Sequence, residues 1–290
     1  MCLACRAKEN PETVDFTITR LQCCPEVTEI PREFTLLTQL CCGRCPLLTS
    51  IPREFTQLTI LWCYNCPLLT EIPREFIQLI RLYCYDCPLL TSIPREFTLL
   101  TQLCCSYCPL LTSIPREFIQ LTQLVCYTCP FISITKEFTQ LTHLSCSDCP
   151  LLTSIPREFI QLIRLDCYKC PLLTLIPREF TRLTELICFD CPKLTEIPKE
   201  FTQLNWLNCS DCPLITSIPK QNRYQYLKKE EFVPFLSFSD KVKYTFMYVK
   251  KQYLQEEIRY KLETQHNESY YAPDGLGAQA LFDKYRDGIK

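Results

Sequence analysis

Apolar residues return along this chain with a period of 21, while the polar residues between them vary. One unit runs from Leu58 to Gln78, with Leu58, Leu61, Cys63, Cys66, Leu69, Ile72 and Phe76 as its apolar positions. Each heads a column. Leu61 aligns with Leu40, Leu82, Leu103 and onward to Leu207, and Phe76 with Phe34, Phe55, Phe97, Phe118, Phe138, Phe159, Phe180 and Phe201. Cys-Pro pairs keep the same beat, from Cys24-Pro25 and Cys45-Pro46 to Cys212-Pro213. The step is 21 residues except between Cys129 and Cys149, where it is 20 and the stretch Phe131 to Thr135 also lacks the usual Pro. The Leu61-x-Cys63 alternation predicts a short strand with its apolar side inward. Ile-Pro-Arg-Glu-Phe, with Pro at the start of a turn and Glu inside it, predicts a brief turn or 3₁₀ segment. One unit cannot bury these columns alone. Stacked copies can, by laying their strands into one parallel sheet about 4.8 Å apart.

The repeating string Leu-x-x-Leu-x-Cys-x-x-Cys-x-x-Leu-x-x-Ile-Pro-x-x-Phe resembles the leucine-rich-repeat pattern. The resemblance implies an α/β fold, a leucine-rich-repeat solenoid or horseshoe with a parallel β-sheet on the concave face. Short turns or 3₁₀ segments would line its convex face. It divides the chain into an N-terminal extension (1–15), ten repeats (16–219) and a mostly helical C-terminal cap region (220–290). In the first copy, Phe16 to Cys24, Thr19 and Leu21 stand in slots that elsewhere hold Leu and Cys. Within 220–290, Ser239 is placed to cap a helix from about 240 to 264, and a turn at 271–275 precedes a short helix at 276–285.

Composition sharpens this picture at a few points. With 47% hydrophobic residues and a net charge of -1 over 290 residues, the chain can fill a core. No global charge draws it toward nucleic acid or a membrane. The uncharged stretch from Phe97 to Pro115 is one copy of a unit that is charged elsewhere, so it does not predict a membrane span. No apolar run of signal-peptide length follows Met1-Cys2-Leu3-Ala4-Cys5-Arg6, so an intracellular protein with reduced thiols is expected. The 24 cysteines are the outlier. Nine copies carry Cys-x-x-Cys, and two neighbouring copies could in principle offer four ligands to zinc. Their recurrence in apolar columns favours small hydrophobes in the core, so no metal ligand and no cofactor is assigned. Disulfides between equivalent residues of adjacent strands are disfavoured, because their Cβ atoms would stand about 5 Å apart, against roughly 3.8 Å for a disulfide.

In the geometry that the resemblance implies, the strand residues between the inward ones face the concave side. These vary most from copy to copy. Aromatics crowd the N-terminal half (Trp62, Tyr64, Tyr83, Tyr85, Tyr107, Tyr127). Acids collect toward the C-terminal half (Asp148, Asp166, Asp190, Asp211), with Tyr168, Phe189 and Trp206 among them. Together they make a candidate surface for a protein partner, since Trp and Tyr give large contact area at low entropic cost. Catalysis finds little support: the two histidines, His143 and His266, have no evident nucleophile partner, and no Gly-rich phosphate loop occurs. The leading reading is thus a non-enzymatic protein–protein interaction module. A structural or virion-associated repeat protein is an alternative. The substrate-recognition part of a ubiquitin ligase system is another, although no Cys follows Cys212 to act as a nucleophile. Tyr270 to Gly277 and the Cys-Pro-Leu-Leu-Thr-Ser-Ile-Pro-Arg-Glu-Phe unit are similar to segments of leucine-rich-repeat proteins of giant DNA viruses of amoebae. That likeness implies a viral protein of the host cytoplasm.

Overall fold

The computed structural model describes residues 2–216, residue 218 and the backbone of 225–226. The helices and turn expected after residue 239 lie outside the described residues. A helix, α1 (Leu3–Glu9), and a 3₁₀ turn (Pro11–Thr13) open the chain. Eleven short strands follow: β1 (Arg20–Gln22), β2 (Gln39–Cys41), β3 (Ile60–Trp62), β4 (Arg81–Tyr83), β5 (Gln102–Cys104), β6 (Gln123–Val125), β7 (His143–Ser145), β8 (Arg164–Asp166), β9 (Glu185–Ile187), β10 (Trp206–Asn208) and β11 (Gln225–Tyr226). They form one sheet in chain order, each strand parallel to its neighbours. β11 carries the pairing past residue 219, where the sequence pattern ends the array.

Each three-residue strand from β1 to β10 turns its central leucine into the core, and its flanking residues point to the other face, where Cys104, Ser145, Asp166 and Asn208 are themselves buried among their neighbours. Behind the sheet the columns are buried in one continuous cluster. Phe34, Phe55, Phe76, Phe97, Phe118, Phe138, Phe159, Phe180 and Phe201 are all fully buried, each contributing roughly 1.5–3 kcal/mol of burial. The Ile-Pro-Arg-Glu-Phe segments close as single turns, for example Phe55 N–H to the Pro52 carbonyl at 3.5 Å and Leu58 N–H to Phe55 at 3.1 Å. The backbone between coils is joined on the turn side of the strand as well, where Thr59 Oγ1 donates to the Thr38 carbonyl at 3.0 Å.

The two cysteines of each Cys-x-x-Cys do different work. The first (Cys42, Cys63, Cys84 and their equivalents) is a fully buried small apolar group, as expected. The second is more than a hydrophobe: its thiol donates to the carbonyl of the first cysteine one coil back. Cys66 reaches the Cys42 carbonyl at 3.1 Å, and the contact occurs eight times in all at 3.1–3.3 Å, ending with Cys212 on Cys188, while Cys45 uses the Cys24 carbonyl at 3.3 Å instead. A thiol is a weak donor, but in a dry core it satisfies a carbonyl that would otherwise lack a partner.

Two irregular coils follow simple rules. In the first, β1 pairs Leu21 with Leu40, so Leu21 fills the leucine slot and Cys23 the first-cysteine slot. This corrects the alignment read from the Cys-Pro beat. Thr19 and Leu21 are not substitutes; two turn residues are missing instead, and Cys23 and Cys24 are adjacent. In the 20-residue coil, the register runs unbroken from Leu124 to Leu144. Phe131 is buried in the Leu111 column, so the residue lost is the exposed one equivalent to Leu110.

Candidate binding face

The solvent face of the sheet is built from the first and third residues of each strand, continued one step further by the residue after the core cysteine. The third-residue column begins with Cys41, Trp62 and Tyr83 and passes through Val125 to Asp166, Ile187 and Asn208. The Trp62 and Tyr83 rings stack, centroids 5.9 Å apart and 9° from parallel. Tyr83 also donates its hydroxyl to Gln102 Oε1 at 2.9 Å. Trp62 Nε1 is buried without a hydrogen-bond partner, so the indole is held by its ring contacts.

The next column alternates in size: Gly43, Tyr64, Tyr85, Ser106, Tyr127, Ser147, Tyr168, Phe189, Ser210. Tyr64 lies over Gly43, where a Cβ would fall 2.4 Å from the ring, and it stacks on Tyr85 at 4.7 Å. The guanidinium of Arg44 stands 6.0 Å from the Tyr64 centroid. Tyr168 and Phe189 stack at 4.6 Å. The small residues are buried and useful: Ser106 Oγ accepts from Tyr127 N–H at 3.0 Å, and Ser147 Oγ from Tyr168 N–H at 3.2 Å. Tyr64 and Tyr127 are consequently 4% and 8% exposed, and burial raises the phenol pKa of Tyr127. Of the predicted aromatics, these two serve chiefly as cladding, while Trp62, Tyr83, Tyr85, Tyr107, Tyr168, Phe189 and Trp206 keep part of their surface open.

In the third column, Arg44, Asn65, Asp86, Tyr107, Thr128, Asp148, Lys169, Asp190 and Asp211 all have positive φ, between 52° and 61°. Asn and Asp tolerate this left-handed conformation best, so Asp148 and its equivalents have a local backbone reason to be there. They form an exposed row beside the sheet.

Charge gathers further along, across β7, β8 and β9. Arg164 Nε is 3.1 Å from Asp166 Oδ2, and its Nη1 is 2.6 Å from Glu185 Oε2. Ser145 Oγ donates to Asp166 Oδ2 at 3.0 Å, while Asp166 Oδ1 is buried without a hydrogen-bond partner. Burial raises the Asp166 pKa above 3.8 against the opposing pull of Arg164 and Ser145. Burial, then the Arg164 charge, lowers that of His143 below 6.5. The His143 Nδ1 pairs with Thr142 Oγ1 at 2.9 Å, so imidazole and the Ser145 hydroxyl are engaged separately. The first-residue column that supplies Arg164 and Glu185 also contributes Ile60, Arg81 and Gln102. Of this column, only Trp206 is among the face residues expected from sequence, although alternation about the core leucine marks it as plainly as the third-residue column.

A second surface was missed altogether. Leu47, Leu68, Leu89, Leu110, Leu151 and Leu214 form a row 41–51% exposed on the turn that follows the sheet. The signal was the doubled leucine of Cys-Pro-Leu-Leu: only the second, such as Leu48, turns inward, with its N–H on the Cys45 carbonyl at 3.1 Å. Among the described residues, no helix is long and apolar enough to cross a membrane.

The Leucine Rich Repeat family pattern matches residues 140–162, which is one coil of the array. Among solved structures, the functional domain of InlJ from Listeria monocytogenes, which includes a cysteine ladder, shares 26% identity. It aligns over 74% of this chain and 55% of its own with a TM-score of 0.62. The array is a leucine-rich-repeat solenoid. A leucine-rich-repeat protein of Leptospira interrogans aligns over 67% of this chain and 54% of its own, at 24% identity and a TM-score of 0.57. The plant peptide hormone receptor RGFR1, solved in complex with RGF2, aligns over 70% of this chain and 38% of its own, at 21% identity and 0.53. This solenoid thus spans about half or less of the length of those structures. No curated protein matches the chain.

Proposed function

We propose that this solenoid is a non-enzymatic protein-interaction module that seats a protein partner on the concave face of its sheet. Leucine-rich-repeat folds generally act as such scaffolds, and the plant peptide hormone receptor RGFR1 was solved in complex with RGF2. One observation carries the reading. The central strand residue is leucine in every coil from β1 to β10 and is buried. Its neighbour on the solvent face runs Trp62, Tyr83, Cys104, Val125, Ser145, Asp166, Ile187 and Asn208. Within the strands, variation falls on the face opposite the core, where Trp62, Tyr83, Val125 and Ile187 keep part of their surface open. The contact surface would centre on the half-open Trp62/Tyr83 pair and on Arg164 and Glu185, with Tyr85, Tyr107, Asp148, Tyr168, Phe189 and Trp206 around them. The likeness of the repeat unit to giant-virus proteins of amoebae supports a setting in the host cytoplasm. The test is selection of displayed peptides against the folded chain, followed by binding to a Trp62→Ala/Tyr83→Ala variant of unchanged circular dichroism. The reading requires the selected peptides to lose most of their affinity. Retained affinity, or a hydrogen-exchange footprint on the turn side, would overturn it.

The exposed leucine row favours one second reading, a structural repeat protein that associates with copies of itself through Leu47, Leu68, Leu89 and Leu110. Light scattering decides it: a monomer at all concentrations removes this reading and leaves the first intact.

A further inference from the structure

Of the six cysteines outside the Cys-x-x-Cys pairs, Cys23 fills a core slot and Cys41 and Cys104 lie on the sheet face, which leaves three thiols without a place in the repeat. Cys2 is the N-cap of α1 and Cys5 lies one turn on, so both occupy one side of the helix. Neither belongs to a repeat. Cys24 occupies the second-cysteine slot of the first coil, where α1 and a 3₁₀ turn rather than another strand stand before β1 in the described residues. The missing pair of turn residues also places Cys24 directly after Cys23. Its thiol meets those of α1 instead: Cys5 Sγ is 3.5 Å from Cys24 Sγ and 3.8 Å from Cys2 Sγ. All three sulfurs lie within 4.8 Å of one another, the sole such gathering of three or more metal-ligating groups among the described residues.

We propose that Cys2, Cys5 and Cys24 bind a Zn²⁺ ion that fastens α1 to the first coil. With Zn–S bonds of about 2.3 Å, a tetrahedral site has sulfur–sulfur edges of about 3.8 Å. The observed contacts of 3.8 and 3.5 Å sit close to that edge before any ion is added. Glu26 Oε2, 4.0 Å from Cys24 Sγ, is within reach of the fourth corner. All three cysteines are partly open to solvent, which gives an ion a way in, whereas the first cysteines of the ladder are sealed in the core.

The scaffold has a use for such a fastening. α1 has seven residues, too few to be stable alone, and it buries only Ala4 and Ala7. Two alanines supply little hydrophobic hold on the open end of a sheet. A zinc site would add a cross-link between segments about 20 residues apart in sequence, and binding energy at such a site becomes folding energy.

The experiment uses the full chain, purified reduced and without chelator. Elemental analysis should find about one zinc per chain. Replacement by Co²⁺ should give thiolate-to-cobalt charge-transfer absorption and the intense visible bands of a tetrahedral site. A Cys5→Ser/Cys24→Ser variant should lose the metal and the bands, whereas Cys41→Ser, on the sheet face, should keep both. Zinc removal should speed amide exchange in residues 3–9 and leave the strands protected. Background zinc in the folded, reduced chain would overturn the proposal. So would full zinc retention by the double variant, or a Cys5–Cys24 disulfide in protein isolated without reductant.

Discussion

Across β3 and β4 the solvent face of the sheet is aromatic, with Trp62 on Tyr83 and Tyr64 on Tyr85. Across β7 to β9 it carries charge, with Ser145, Arg164, Asp166 and Glu185 in one connected set beside the Tyr168/Phe189 stack. The core beneath is the same in both places: leucine, phenylalanine and two cysteines per coil. The halves therefore differ only in how side chains settle on one scaffold. The aromatic half settles by shape, sinking a tyrosine into the space left by Gly43. The polar half settles by charge, at the cost of a buried carboxylate oxygen with no partner. A partner meeting the first would find rings whose positions are fixed by packing; one meeting the second would find groups whose arrangement depends on protonation.

The largest effect should come from breaking the shape half. Tyr64→Ala empties a buried site and should cost about 3 kcal/mol, like an aromatic truncation in a core. Gly43→Ala introduces a Cβ 2.4–2.7 Å from three atoms of the same ring and should cost about 1–3 kcal/mol. The two should not add. With Tyr64 already truncated, the alanine at 43 has room, and urea denaturation of the four proteins should show a coupling of about 1–3 kcal/mol. Additive costs would mean that Tyr64 does not depend on Gly43.

The charge half should reveal itself by pH. Burial raises the Asp166 carboxyl above 3.8, so the folded state favours its neutral form. The unfolded chain releases that proton first as pH climbs past 3.8. Stability from this group is therefore full below 3.8 and falls as pH rises through the folded value. Asp166→Asn keeps an acceptor for Ser145 and removes the titration. It should be more stable than wild type at neutral pH by about 1 kcal/mol and should gain nothing at pH 3. His143 acts in the opposite sense. Its lowered pKa gives stability that is present above 6.5 and is lost as pH falls through the folded value. Because the Asp166 charge itself acts on His143, both proteins are compared in a His143→Gln background, which removes that contribution. An equal gain at both pH values would show that Asp166 is not the titrating group.

The fold was legible because its signal is one-dimensional. Leu61, Cys63 and Phe76 recur on a fixed beat, and each copy reports the same burial, so even three-residue strands could be placed. What the beat hides is anything that depends on neighbouring coils. The first-coil register was misread because the Cys24-Pro25 pair keeps time while two residues are missing just before it. The second-cysteine thiol was read as a hydrophobe, since its acceptor lies 24 residues back in most coils. The sinking of Tyr64 depends on a glycine one coil earlier, and the grouping of Cys2, Cys5 and Cys24 on a helix outside the repeat. Face residues such as Trp62 and Asp166 could be selected from variability, but variability alone does not tell an open ring from a clad one.

The smallest effect concerns the row of positive φ that runs beside both halves. Asp148, Asp190 and Asp211 made the C-terminal half look acidic, yet the backbone at these positions favours Asn or Asp whatever the surface binds. Thr128 occupies the same conformation at φ 53° with a β-branched side chain, where strain is greatest. Thr128→Asn should therefore stabilise the array by about 1 kcal/mol or less. Asp148→Asn, which keeps the left-handed preference and removes the charge, should stay within about 0.5 kcal/mol of wild type. If both hold in thermal melts, the acids of this row owe their presence to chain geometry. The charged character of the C-terminal half then rests on Arg164, Asp166 and Glu185 alone. If Asp148→Asn instead weakens a selected binder without changing the melt, the row returns to the contact surface.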